Sequence, residues 1–362
     1  MAFAHTSFIL RDPDAVFERT RPSHSRSVLP LIADACVTPH GTLWLAVGGP
    51  CTPGGLLVSG DAGRTFREVT RQDPRDPDAH HFYAVYALDD QHVWACGAAG
   101  EDDTAVVWRS ADGGRFWEVL MAGDRARGLS PDVMFTQVLF TDASNGFLVC
   151  AGESLLTTRD GGRHWSELHV PGASPFGLYF LDERRGWLLS HDLDRHGHPL
   201  RTCVFTTLDG GRTWALREDD FAGLPALDVS GFHVDANGTG VLCGPEGMLL
   251  YARPERRARA SSGVTWRFAR GMVPCDLNFI TRSPDGAVWV AGEHGTLLVS
   301  RDEGVSYTAV HTGTRAELHA VAFVDDPVVE RTVGLALGAH GVLLRFDPRS
   351  PDALLRCATP WP

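Results

Sequence analysis

Several groups of side chains in this chain have the types and spacing to do chemistry. The run His191-Asp-Leu-Asp194-Arg-His196-Gly-His198 alternates imidazole and carboxylate. A His-x-His pair on an extended loop can turn both rings to one side, as a divalent metal requires. No third ligand at diagnostic spacing accompanies it, and a polar, Gly-kinked hairpin tip has the same composition. Glu246, His294 and His340 each stand two residues after a Gly (Gly244, Gly292, Gly338), while Glu153 and Glu293 fall one position away from that register. With His191 they are the candidate acid–base set, since carboxylate and imidazole can exchange protons or hold a cation. The plainer alternative is that Gly-x-x-Gly turns accept any polar tip residue. His80-His81 beside Phe82-Tyr83, and His319 with Asn278, Thr136 and Tyr83 at matching positions, are further candidates for the wall of a pocket or channel. Arg64, Arg115, Arg163 and Arg212 share one register and should form an arc of positive charge, either a solvated rim or a binding face.

The element that must position these groups is a short motif in five copies. They are Ser59-Gly-Asp61-Ala-Gly63-Arg-Thr65-Phe66, Ser110-Ala-Asp112-Gly-Gly114-Arg-Phe-Trp117, Thr158-Arg-Asp160-Gly-Gly162-Arg-His-Trp165, Thr207-Leu-Asp209-Gly-Gly211-Arg-Thr213-Trp214 and Ser300-Arg-Asp302-Glu-Gly304-Val-Ser306-Tyr307. The pattern is similar to the Asp-box, the repeat of bacterial neuraminidases. In such a turn the carboxylate accepts backbone N–H groups, the Gly adopts a conformation that strains other residues, and the aromatic packs beneath. Asp61, Asp112, Asp160, Asp209 and Asp302 are therefore read as structural.

Successive copies lie roughly fifty residues apart, a spacing close to that of propeller blades. Gly263-Val-Thr265-Trp266 keeps half the motif, with Ser261 in the Asp position, and Leu343-Leu-Arg-Phe-Asp347 opens a seventh, eroded copy. Before each box come a strand ending in Asp, such as Val138-Leu-Phe-Thr-Asp142, and a Trp-bearing strand, such as Gly186-Trp187. Four short antiparallel strands per unit, in seven units without helical periodicity, predict an all-β, seven-bladed β-propeller over residues 30–362, with box turns between the third and fourth strands of most blades. Residues 1–29 precede it, and Phe8-Ile-Leu10 competes with Leu354-Leu-Arg-Cys-Ala358 to close the last blade. The turns after each second strand should share a face with the long blade-to-blade connections, where a site is expected.

A net charge of −12 argues against nucleic-acid binding. Lys is absent, which excludes a Schiff-base lysine and a Walker-A loop. No apolar run reaches membrane-spanning length, so no membrane insertion is expected. The eight Cys are scattered without a Cys-x-x-Cys pair, and the amino-terminal apolar run is short for a signal peptide. Reduced thiols and a cytoplasmic location are the resulting expectation.

With its motifs placed, the chain resembles the photosystem II assembly and stability factor family of cyanobacteria and plastids. The repeat of that family reads roughly Gly-Trp-x-x-Gly-x-x-Gly-x-Leu-x-x-Thr-x-Asp-Gly-Gly-x-Thr-Trp. Gly186-Trp187 through Thr207-Leu-Asp-Gly-Gly211-Arg-Thr213-Trp214 matches it at both ends, with the His/Asp insertion between. The resemblance covers residues 30–350 and implies a non-enzymatic protein that binds protein partners, partly through an arginine-rich patch. Sialidases share the box, but the Arg-Ile-Pro segment expected of them is missing here. His-Glu-x-x-His and Gly-x-Ser-x-Gly motifs are absent as well.

The residues thus favour a binding or assembly scaffold for a protein or peptide, with no cofactor expected. The alternative is an intracellular hydrolase, lyase or isomerase of a small molecule. It would use His294, His340, Glu246 and His191, with a divalent metal at His191, Asp194, His196 and His198.

Overall fold

A computed structural model describes residues 31–49, 52–70, 80–99, 104–122, 134–150, 154–170, 174–196, 199–217, 227–253, 266–271 and 273–357. These form seven four-stranded antiparallel sheets, each made of strands consecutive in sequence. The blades run 31–68, 80–122, 135–167, 174–216, 231–268, 277–309 and 318–357. The chain is a seven-bladed β-propeller.

Strand composition follows position. The first strand of each blade lies at the axis, where first strands of neighbouring blades adjoin. The first strand of blade 3, Phe135–Phe140, is buried along its whole length, as a strand covered on both faces must be. Outermost strands such as Arg67–Glu68 and Ser166–Glu167 are two exposed polar residues long, which blunts the sheet edge. Trp44, Trp94 and Trp289 on the second strands are fully buried.

The five aspartates close turns between third and fourth strands. Asp61 Oδ1 accepts the Arg64 and Thr65 N–H groups at 3.0 and 2.9 Å, and Ser59 Oγ accepts from Gly63 N at 2.9 Å. Asp112, Asp209 and Asp302 accept equivalent backbone bonds. The second Gly of the motif is needed twice over. Gly211 holds φ 78°, and a Cβ there would stand 2.4 Å from Cζ of Phe147 in the preceding blade. Gly114 repeats this against Trp44. The turn therefore sets the spacing between blades as well as its own conformation.

Six first strands carry a one-residue bulge, at Ala33, Tyr83, Thr136, Phe176, Asn278 and His319. The matching positions expected of Tyr83, Thr136, Asn278 and His319 are thus unpaired residues of a repeated bulge.

Every described strand of blades 1 and 7 comes from one continuous stretch, so among these strands the ring closes without strand exchange. Among the described residues the outermost strand of blade 7 is Ser350–Cys357, from the carboxy-terminal segment. Phe8–Leu10 and Ser261 lie outside the described residues. Blade 7 is tied to blade 1 through side chains. Arg64 Nη1 meets Asp326 Oδ1 at 2.5 Å, and Arg345 bonds both Asp326 Oδ2 and the Ala62 carbonyl.

Candidate functional site

The aspartate-closed turns share one face with the turns between first and second strands. Gly113 N donates to Gln91 O at 3.1 Å, Gly161 N to Ser144 O at 2.9 Å and Gly210 N to Arg184 O at 3.0 Å. Three of the four registered arginines, Arg115, Arg163 and Arg212, stand exposed on this face in consecutive blades. Among the described residues none of the three guanidinium groups makes a hydrogen bond or ion pair. Arg64 departs from the expected arc. Its guanidinium is held by Asp326, so it links blades 1 and 7. Two apolar side chains rise among the arginines, Phe116 at 72% exposure and Leu208 at 70%. Other copies of the motif carry Thr, His or Ser in place of Phe116, and Gly, Ala or Arg in place of Leu208.

The aspartates of the turns are committed to structure. Desolvation works upward on Asp160 and Asp209, but hydrogen bonds from within each turn outweigh it and hold both carboxyls down to about 2. His164 supplies bonds from backbone and ring to Asp160, while Thr213 supplies backbone and hydroxyl bonds to Asp209.

A large cavity, about 790 Å³, opens on the axis of this same face. Val37, Tyr86, Phe323 and Val324 form apolar wall, and His40, Asp89, Asp142, Glu183, Asp325 and Arg282 line it with charge. The turns after the second strands, where a site was expected, lie on the opposite face from this cavity. First strands end in short Asx turns here, and these leave the axis open. Asp142, for example, accepts from Ser144 N and Asn145 N at 2.7 and 2.8 Å.

On the opposite face, Glu246, His294 and His340 do occupy equivalent places. Each is the exposed middle residue of a one-turn 3-10 segment after the second strand, with φ of 54°, 56° and 57°. They are tips of separate blades. The groove beside His294 is lined by neither Glu246 nor His340. An acid–base site built from the trio is not assembled.

The His/Asp insertion extends the hairpin of blade 4. His191 lies on the second strand, its ring tilted 30° to that of Phe176 with centroids 4.3 Å apart, and its Nε2 is 3.3 Å from the Leu227 carbonyl. Asp194 Oδ1 accepts the His196 N–H at 2.7 Å, and the His196 ring meets Arg195 Nε at 2.9 Å. Among the described residues no three His, Cys, Asp or Glu side chains could hold a metal, and His198 lies outside them. His191, Asp194 and His196 are therefore not brought together as ligands. Nor are they brought to His294, His340 or Glu246: His191 serves the packing between blades 4 and 5.

His80 and His81 begin the first strand of blade 2, paired with Ala99 and Ala98, rather than standing in a loop. His319 is 1% exposed, and burial pushes its ring down to about 4. Its Nδ1 is 4.0 Å from Glu317 Oε1, which also accepts from Asn278 Nδ2 at 3.0 Å.

Sequence reasoning missed a bridging residue that follows two of the six bulges. Gln137, after Thr136, reaches into blade 4, donating to Leu178 O at 2.7 Å and accepting from Leu178 N at 3.1 Å. Asp34, after Ala33, makes the corresponding reach into blade 2 and accepts from Val85 N at 3.1 Å. Desolvation in this site raises the Asp34 carboxyl to about 8, against smaller opposing contributions from its backbone hydrogen bonds. A polar residue inside an apolar first strand was the available signal.

No protein-family model matches the chain. It is distantly homologous to the photosystem II assembly lipoprotein Ycf48 of Synechococcus sp. (strain CC9902), with 27% identity over 282 residues, 58% of this chain and 84% of that protein. The solved structure of YCF48 from Cyanidioschyzon merolae aligns over 90% of this chain and 98% of that one, with a TM-score of 0.61 and 18% identity. A structure of YCF48 bound to D1 peptide aligns over 74% of this chain and 78% of its own, with a TM-score of 0.52 and 18% identity.

Proposed function

We propose that this distant relative of the Ycf48 assembly proteins is a non-catalytic scaffold that captures a protein or peptide segment on its aspartate-turn face. The observation that carries this reading is the projection of Arg115, Arg163 and Arg212 from one register of three consecutive blades, exposed and unpaired among the described residues. Exposed Phe116 and Leu208 beside them favour a segment that mixes carboxylates with apolar side chains. Relatives named for assembly, and a solved relative of the same fold bound to a peptide, support the same reading.

The test uses a fluorescein-labelled peptide alternating Glu with Leu and Phe, titrated by anisotropy, together with pull-downs from the native host. Reversing Arg115, Arg163 and Arg212 together to Glu should weaken peptide binding by more than about tenfold and release the captured partners. His294→Ala with His340→Ala should leave both intact. Undiminished binding by the triple reversal would overturn the reading.

A further inference from the structure

Blade 6 carries a second basic feature, on the face opposite the arginine arc and independent of the scaffold reading. A groove of about 480 Å³ lies between the turn after the second strand of blade 6 and the connection from blade 6 to blade 7. Leu297 and Val310 form a buried apolar floor. His294 stands on one side, and His311 and Arg315 on the other. All three are exposed, and among the described residues none of their side chains has a hydrogen bond or ion pair. The neighbouring carboxylates are engaged elsewhere: Glu293 accepts from Asp276 N at 3.3 Å, Glu317 accepts from Asn278, and neither lines the groove.

Three nitrogen-donor side chains thus surround one concavity, and no carboxylate is among its lining residues.

We propose that this groove binds the phosphate group of a small phosphate monoester. A guanidinium can hold two phosphate oxygens in a bidentate pair, and two imidazoles can donate to the remaining acceptors. The apolar floor then receives the organic part of the ligand. A carboxylate offers two oxygens to three donors and fits less well.

Inorganic phosphate is the first probe, followed on the ring C–H proton signals of His294 and His311 by NMR at constant ionic strength. The signals are assigned with His294→Asn and His311→Asn. Both should move saturably with phosphate, and succinate should be at least about tenfold weaker. Arg315→Gln should weaken phosphate by a similar factor while leaving the thermal unfolding midpoint in place. Arg67→Gln, on the outermost strand of blade 1, should leave phosphate binding unchanged. Equal response to succinate or chloride, or full affinity in both Arg315→Gln and His311→Asn, would overturn the assignment. Failure here leaves the peptide-capture reading untouched, because that reading rests on other residues and another probe.

Discussion

Arg64 Nη1 lies 2.5 Å from Asp326 Oδ1, and this contact fastens the first blade to the seventh. Asp326 has no solvent exposure at its side chain, and Arg345 has 8%. Burial opposes ionisation of Asp326, yet bonds from Arg64, the Val328 N–H and Arg345 outweigh it and hold the carboxyl well below its usual range. A propeller must close against curvature accumulated over all its blades, and here two guanidinium groups share one buried carboxylate at the seam.

Asp326→Ala leaves two cations at the seam without their partner, one of them buried. The expected loss is about 3–5 kcal/mol in urea unfolding. Arg64→Ala, at a side chain 32% exposed, should lose far less. Equal losses would show that the carboxylate is not the centre of the latch.

Asp34 predicts a pH dependence opposite to that of the turn aspartates. Its folded pKa, about 8, lies above the unfolded value near 4, so stability is fullest at low pH and declines until the folded pKa is passed. Between pH 5 and 8 the decline should be on the order of a few kcal/mol. Asp34→Asn should flatten the slope whatever its offset. Chemical denaturation at several pH values checks this, and an unchanged slope in the variant would remove Asp34 as its source.

Asp160 and Asp209 behave in the reverse sense. Their folded values near 2 lie below the unfolded value, so their contribution is present above about pH 4 and is lost as pH falls toward 2. Asp209→Ala should cost about 1–2 kcal/mol, comparable to loss of a helix cap. Gly211→Ala should cost more, about 2–4 kcal/mol, because strain at φ 78° adds to the collision with Phe147. Thermal unfolding of the two variants orders them, and the reverse order would contradict the packing role of the Gly.

His340 occupies a left-handed backbone position at an exposed turn tip. His340→Gly should be neutral or stabilising by up to about 1 kcal/mol. A clear destabilisation in calorimetry would mean that the imidazole makes a structural contact.

The motif made blade count and turn positions legible because everything it specifies lies within about one turn of chain. Ser59, Asp61, Gly63 and Thr65 find one another without help from the rest of the molecule. The same locality makes the equivalence of Glu246, His294 and His340 legible, while whether they meet in one site is not a local property. Repeat register shows which residues share a position in their own blade, and each turn tip here faces solvent separately.

Architecture is thus legible from local chemistry: hydrogen bonding closes each aspartate turn, and the spacing of the turns counts the blades. Only the tertiary structure decided which charges are available. Arg64 has the register of Arg115 and Arg163, yet it is held at the ring seam by a residue 262 positions away. The meeting of His294 with His311 and Arg315, and the face on which the axial cavity opens, likewise depend on how whole blades pack. Contacts between blades are set by the geometry of the closed ring, and no short stretch of chain encodes that geometry.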